Sequence, residues 1–172
     1  MKYFLSIDQG TTSTRCILFN NDGTVASSHQ IEIKQYFPDN NSVEHDPVEI
    51  IESVNKCIQN VVNDIDVNEI ISIGISNQRE TTVAWSKSTG KPFYNAIVWQ
   101  DTRTQEICDE LIKNKRFTEL IKRTGLPVST YFSLSKILWL IENVSAISSS
   151  LDSDVCFGTI DSWIVYNLTG NF

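Results

Sequence analysis

Ile7-Asp8-Gln9-Gly10-Thr11-Thr12-Ser13-Thr14-Arg15 is the stretch whose reading decides the fold. The β-prone run Tyr3-Phe4-Leu5-Ser6-Ile7 leads into it, and Cys16-Ile17-Leu18-Phe19 leaves it, so the pair predicts a β-hairpin. Glycine lets the backbone turn without a Cβ clash, which is the expected role of Gly10. Backbone N–H groups and the hydroxyls of Thr11, Thr12 and Ser13 can converge on an anion. Asp8, at the carboxyl end of its strand, can hold a hydrated cation beside that anion. Arg15 adds fixed positive charge. Together they suit a nucleotide phosphate with Mg²⁺. The same residues also suit a polar turn capped by its own threonines.

Outward from the hairpin, Asn20-Asn21-Asp22-Gly23 predicts a tight turn, and Val25 to Ile33 predicts a third strand. Residues 36 to 45 are polar, contain Pro38 and predict a loop. Asp46-Pro47-Val48-Glu49 opens a helix with an N-cap, a proline at the first position and a capping-box acid. Val48, Ile51, Val54 or Ile58, Val61 and Ile65 share a face of that helix, which should end near Asp64. Ile70 to Ser76 is apolar apart from small residues and predicts a central, parallel strand.

Asn77-Gln78-Arg79-Glu80 follows at that strand's carboxyl end. Strands are then expected at 81–86 and 95–100, with a turn at 88–92. Helices are expected from Asp101 or Thr102 to Lys113 and from Phe117 to Lys122. A helix from Ser133 would put Leu134, Ile137, Leu138 and Ile141 on one face. Ser145 to Asp154 reads as a loop, 154–157 as a strand, and Thr159 to Leu168 as a helix with Gly170 past its end. The order is βββαβαβα, that of a ribonuclease-H-like or actin-like ATPase unit, an α/β fold with a mixed sheet. Ligands of open α/β sheets gather at carboxyl ends of strands. Asp8 and the Asn77–Glu80 segment both lie at such ends.

The chain has 172 residues, enough for one domain, expected to span 1–172. Its net charge of −7 argues against a nucleic-acid partner. No segment has the apolar length of a membrane span, and the N-terminus lacks a secretory pattern, so a cytoplasmic protein is expected. Cys16, Cys57, Cys108 and Cys156 form no C-x-x-C pair and are expected to be reduced and buried. The sequence has no P-loop, no G-x-G-x-x-G and no G-x-S-x-G, and His29 and His45 lack zinc-ligand spacing. Any phosphate chemistry therefore falls to the hairpin.

Five blocks carry a family resemblance: 8–15, Val43-Glu44-His45-Asp46-Pro47, Gly74 to Thr82, Tyr94 to Asp101, and Gly158-Thr159-Ile160-Asp161-Ser162-Trp163. Together they resemble the N-terminal portion of the FGGY carbohydrate kinase family, in its glycerol kinase branch, from Tyr3 to Gly170. The Asn-Gln-Arg-Glu-Thr-Thr block is the discriminating one, because pentulose-directed relatives usually carry another segment there.

The resemblance implies ATP-dependent phosphorylation of glycerol to glycerol 3-phosphate. It implies that Thr11, Thr12, Ser13 and Arg15 contact ATP phosphates and that Asp8 helps hold Mg²⁺. It implies a glycerol pocket from Arg79, Glu80, Trp99 and Tyr131. Chemistry agrees: Glu80 accepts hydroxyl hydrogens, Arg79 donates to hydroxyl oxygens, and aromatic faces cover a carbon backbone. Trp99 and Tyr131 equally suit core packing, Arg79 and Glu80 a surface ion pair, and Asp161 a helix's first turn. Family members continue beyond the equivalent of Phe172. The resemblance places the aspartate base and the adenine-binding domain there, which points to a polypeptide partner supplying that part. An inactive remnant that binds phosphate or glycerol, and a fragment of another FGGY sugar kinase, are the competing readings.

Overall fold

A computed structural model describes residues 1–171, with Lys115, Arg116 and Leu120 described by their backbone alone. The chain divides into two compact units. The first comprises Met1–Gln35, His45–Arg79 and the segment from Ile160; the second comprises Tyr36–Glu44 and Glu80–Thr159.

In the first unit, β1 (Tyr3–Gln9), β2 (Ser13–Asn20) and β3 (Val25–Glu32) form the expected antiparallel meander. β5 (Ile70–Asn77) lies parallel to β1, and the sheet order is β3-β2-β1-β5. This mixed sheet places Gln9 opposite Asn77 and Asp8 opposite Ser76. Helix α1 (Pro47–Val61) packs on the sheet. Its buried face is Ile50, Val54, Cys57 and Val61; Val54 and Val61 lie inside as expected, whereas Ile50 takes the place expected of Ile51 and Val48 is exposed. The opposing strand face supplies Leu5, Ile7, Cys16 and Leu18, all buried. Asp46 caps the helix by accepting from the Val48 N–H at 2.8 Å, while Glu49 accepts from the Lys34 N–H at 2.8 Å. Helix α6 (Ile160–Thr169) carries buried Trp163, whose indole N–H donates to the Pro47 carbonyl at 2.9 Å.

β5 corrects one expectation. It is parallel as expected, but it forms the edge of the sheet among the described residues, with Ile71 and Ile73 half exposed at 51% and 49%. Apolar composition alone does not distinguish a buried central strand from an apolar edge.

The second unit is built on β6 (Thr82–Ser86), which pairs antiparallel with β7 (Ala96–Ile97) and β8 (Val155–Thr159). The order of that sheet is β4-β7-β6-β8, where β4 is Glu44–His45. The last strand of the expected series therefore joins a second sheet rather than the first. Helices α2 (Gln105–Lys113), α3 (Lys115–Thr124), α4 (Ser133–Asn143) and α5 (Ser145–Ser150) complete the unit. α5 occupies the segment expected to be a loop; Ile147 anchors it in the core with Ala84, Ile97 and Leu140. α4 buries Ser135, Lys136 and Leu140, whereas Leu134, expected inside, is 42% exposed. The four cysteines are free and buried. Burial pushes the Cys16 thiol up to about 12, with Cys57 beside it adding to the shift. No helix among the described residues is long and apolar enough to cross a membrane.

Candidate functional site

The anion-binding candidates lie in the first unit, where the β1–β2 connection is closed by Gly10 N–H donating to the Ser13 carbonyl at 2.9 Å. Gly10 does not have positive φ, and a Cβ built there would meet only the Ser13 carbonyl, at 3.4 Å. The turn therefore does not require glycine, contrary to expectation. In the neighbouring β2–β3 turn the backbone does require glycine, with Gly23 at φ +84°.

Register determines what faces solvent. Asp8 and Arg15 are directly opposite on β1 and β2, and both are exposed, as expected for alternate residues on one face. Ser76, opposite Asp8 on β5, donates its hydroxyl to Asp8 Oδ1 at 2.5 Å. That bond holds one of the two carboxylate oxygens. Thr12 is exposed and Thr11 half-buried; Ser13 Oγ accepts from Gln30 Nε2 at 3.0 Å. Thr14 faces the other way, buried and bonded to Ser53 at 2.7 Å, so its hydroxyl serves the core.

Beneath the turn is a polar layer that sequence reasoning missed. Gln9, Gln78 and His45 are buried at 0%, 6% and 0% exposure. Gln78 Nε2 donates to Gln9 Oε1 at 2.9 Å and to the Gly10 carbonyl at 3.3 Å, and lies 3.2 Å from His45 Nδ1. The Gln78 N–H donates to the Gln9 carbonyl at 2.9 Å. This layer ties the turn to the end of β5. Burial pushes the His45 imidazole down to about 4, against an opposing pull from Glu49, so it is neutral at pH 7. The motif Val43-Glu44-His45-Asp46-Pro47 was the available signal, though the sequence assigned it no role. Asp161, in the first turn of α6, accepts from Asn77 Nδ2 at 3.1 Å.

The polyol candidates divide between the units. Arg79 is exposed and follows β5 in the first unit; Glu80, Trp99 and Tyr131 belong to the second. Trp99 and Tyr131 meet edge to face, ring centroids 5.8 Å apart at 64°. Tyr131 in turn meets Phe132 at 5.2 Å and 83°. Ser133 Oγ donates to the Glu80 carbonyl at 3.3 Å and lies 3.5 Å from Glu80 Oε2. All three side chains are half-buried, which combines an apolar wall with an accessible carboxylate.

A buried ionic network braces the second unit. Arg103 Nη2 lies 2.7 Å from Glu44 Oε1 and 2.9 Å from Asp101 Oδ2, with side-chain exposures of 8%, 4% and 0%. Burial works to lower the Arg103 pKa, but hydrogen bonds to Asp101 and Glu44 outweigh it and hold the guanidinium above its usual range. Tyr94 and Asn95 donate to the two Glu44 oxygens at 3.0 and 2.9 Å. The Val43 N–H donates to Asp101 Oδ2 at 2.7 Å. Among the described residues no group of three or more His, Cys, Asp or Glu could hold a metal ion. Mg²⁺ keeps several waters and often takes one or two carboxylates with substrate phosphates, and exposed Asp8 fits that donor set.

Comparison with known proteins gives a consistent result. The model of the FGGY family of carbohydrate kinases, N-terminal domain, matches residues 3–172. The chain is 49% identical over 174 residues to glycerol kinase 2 of Thermotoga maritima, covering 99% of this chain and 35% of that protein. It is 49% identical over 172 residues to glycerol kinase of Borrelia garinii, covering 98% and 34% respectively. The crystal structure of Plasmodium falciparum glycerol kinase with ADP superposes with a TM-score of 0.90 at 37% identity, covering 99% of this chain and 35% of that one. Xylulose kinase of Lactobacillus acidophilus superposes at 0.84 and 26% identity, covering 99% and 34%. The chain thus spans about a third of the length of these relatives.

Proposed function

Because the chain belongs to the FGGY family of carbohydrate kinases, we propose that it supplies the phosphate-facing and glycerol-facing residues of an ATP-dependent glycerol kinase. The observation that carries this reading is the register of Asp8 opposite Arg15, with Ser76 bonded to the acid, on the exposed face at the carboxyl end of β1. A cation site beside a fixed positive charge suits a metal-bound polyphosphate. Identity on superposition favours glycerol over a pentulose: 37% to the Plasmodium glycerol kinase against 26% to the Lactobacillus xylulose kinase.

In this reading Thr11, Thr12, Ser13 and Arg15 hold ATP phosphates, and Asp8 orients waters on Mg²⁺. Bound Mg²⁺ neutralises charge on the phosphate oxygens. Glu80 accepts a glycerol hydroxyl hydrogen, and Trp99 and Tyr131 cover the carbon chain; Arg79, at the end of the first unit's His45–Arg79 segment, is a donor suited to a hydroxyl oxygen. The chain spans about a third of the length of these relatives, so the proposal concerns the residues it supplies, and turnover is assigned to them together with the part of the relatives that it does not span. The cytoplasm, where ATP is available, is the compartment this reading implies.

A coupled kinase assay tests the proposal. The purified chain is assayed with Mg·ATP and glycerol, alone and with a folded polypeptide corresponding to the remaining part of the Thermotoga relative. Turnover on complementation, lost in Asp8→Ala, is expected. Robust turnover by the chain alone would refute the need for a partner. No turnover with a folded complement would favour the non-catalytic binding reading.

A further inference from the structure

Lys136 is fully buried at 0% exposure, four positions into α4. A cation there opposes the helix dipole, whose positive end is at the N-terminus. Its direct partners are backbone carbonyls rather than carboxylates. Nζ donates to the carbonyls of Thr130, Tyr131 at 2.9 Å and Phe132 at 3.4 Å. An isolated buried ammonium is costly unless fully hydrogen-bonded. One side chain therefore gathers three consecutive carbonyls of the segment entering the helix.

That segment carries the aromatic wall. The Tyr131 N–H donates to Ser129 Oγ at 3.2 Å and its carbonyl accepts from Lys136, so the residue is held at both backbone ends. Its ring abuts Trp99, and Ser133, one residue beyond the gathered carbonyls, bonds the Glu80 carbonyl. We propose that Lys136 is a positioning residue: by gathering the carbonyls of Thr130, Tyr131 and Phe132 it sets the Tyr131 ring against Trp99 and Ser133 against Glu80, pre-forming the polyol-facing surface. The polyol part of this role rests on the glycerol reading above; the positioning part does not.

The charge state provides a readout that packing alone would not. Burial pushes the Lys136 ammonium down to about 8 from its usual 10.5, against the raising influence of Asp101, Glu80 and Cys108, the charged and titratable groups that act on it. Asp101 is already paired with Arg103. The sign follows from linkage: an opened segment, with the amine in water, binds a proton more tightly than the closed one. Closure is therefore favoured as pH rises from about 8 toward 10.5, where the neutral amine keeps two N–H donors for the nearer carbonyls, of Thr130 and Tyr131, and is disfavoured below about 8.

The test is amide hydrogen exchange of peptides covering residues 128–134 in the full chain, corrected for intrinsic rates, at pH 7 and pH 9. In the wild type, protection should rise about tenfold between the two. Lys136→Met should lower protection at 130–132 by about tenfold or more and lack the pH component, while the strands of the first unit exchange as before. Cys108→Ser should keep the pH component. If Lys136→Met loses protection throughout Glu80–Thr159, Lys136→Arg decides: it retains protection at 130–132 without the pH component. Unchanged protection in Lys136→Met, or a surviving pH component in Lys136→Arg, would overturn the proposal. Glycerol added to the wild type should raise protection of the same peptides. Its failure to do so, with the Lys136→Met loss intact, would sustain the positioning and refute the glycerol reading.

Discussion

Replacing Arg103 by methionine tests the brace of the second unit. The guanidinium donates from Nε to both Asp101 oxygens at 3.0 Å and from Nη2 to Glu44 at 2.7 Å. Its Cζ also lies 4.7 Å from the centroid of the Trp139 ring. Breaking a buried ion pair by removing one partner costs about 3–5 kcal/mol, because the other charge is left uncompensated. Glu44 would keep Tyr94 and Asn95, and Asp101 would keep the Val43 N–H, which moves the estimate to the lower end of that range. The lost cation–π contact adds about 1 kcal/mol. The expected cost of Arg103→Met is therefore about 4 kcal/mol, a large part of the 5–15 kcal/mol typical of a domain. Urea-dependent hydrogen exchange of peptides within Glu80–Thr159 reads it locally. Adding Glu44→Gln and Asp101→Asn to Arg103→Met removes the stranded charges and should recover at least half the loss. A cost under about 1 kcal/mol, or no recovery in the triple variant, would refute the view that this network is an uncompensated-charge problem solved by Arg103.

Three further outcomes are expected. Gly10→Ala should leave stability within about 1 kcal/mol of wild type, because the turn has ordinary φ and space for a Cβ, yet weaken Mg·ADP binding measured by calorimetry; equal affinity would show that the open backbone has no part in binding. His45 has its pKa lowered to about 4 from 6.5, so its contribution is present above pH 6.5 and is lost as pH falls toward 4; the wild type should lose about 2–3 kcal/mol more than His45→Gln between pH 7 and 4.5 in urea titrations. Asp8→Asn should abolish the Mg²⁺-dependent part of ADP affinity while leaving the melting curve unchanged, since the side chain is exposed; Mg²⁺-dependent binding that survives would remove Asp8 from the metal's surroundings.

The meander and its first helix were legible because local signals agreed: alternating apolar residues, Asn20–Gly23 at the turn, and Asp46-Pro47 at the helix start. The parallel pairing of β5 with β1 was legible from the element order. Its place at the edge was not, since Ile71 and Ile73 look the same on paper whether covered or bare. α5 was hidden by its serines and by an N-terminus without a side-chain cap; only the burial of Ile147 explains it. At the site, exposed Asp8 and Arg15 could be read from period two alone. Gln9, Gln78 and His45 could not, because a buried amide layer exists only once the register brings distant residues together. Lys136 was hidden for a related reason: a lysine within an apolar helix reads as its solvent face, and its carbonyl partners lie in the preceding irregular segment.

The proposed sites are the β1–β2 turn for nucleotide phosphates and Glu80, Trp99 and Tyr131 for glycerol. Amide and side-chain NMR of the isotope-labelled chain, titrated separately with Mg·ADP and with glycerol, tests them most directly. The account predicts that Mg·ADP shifts resonances of residues 8–15 and 76–78, and that glycerol shifts the Trp99 indole together with Glu80 and Tyr131. Mg·ADP shifts confined to other segments, or glycerol shifts that leave Trp99 and Tyr131 untouched at saturation, would contradict it.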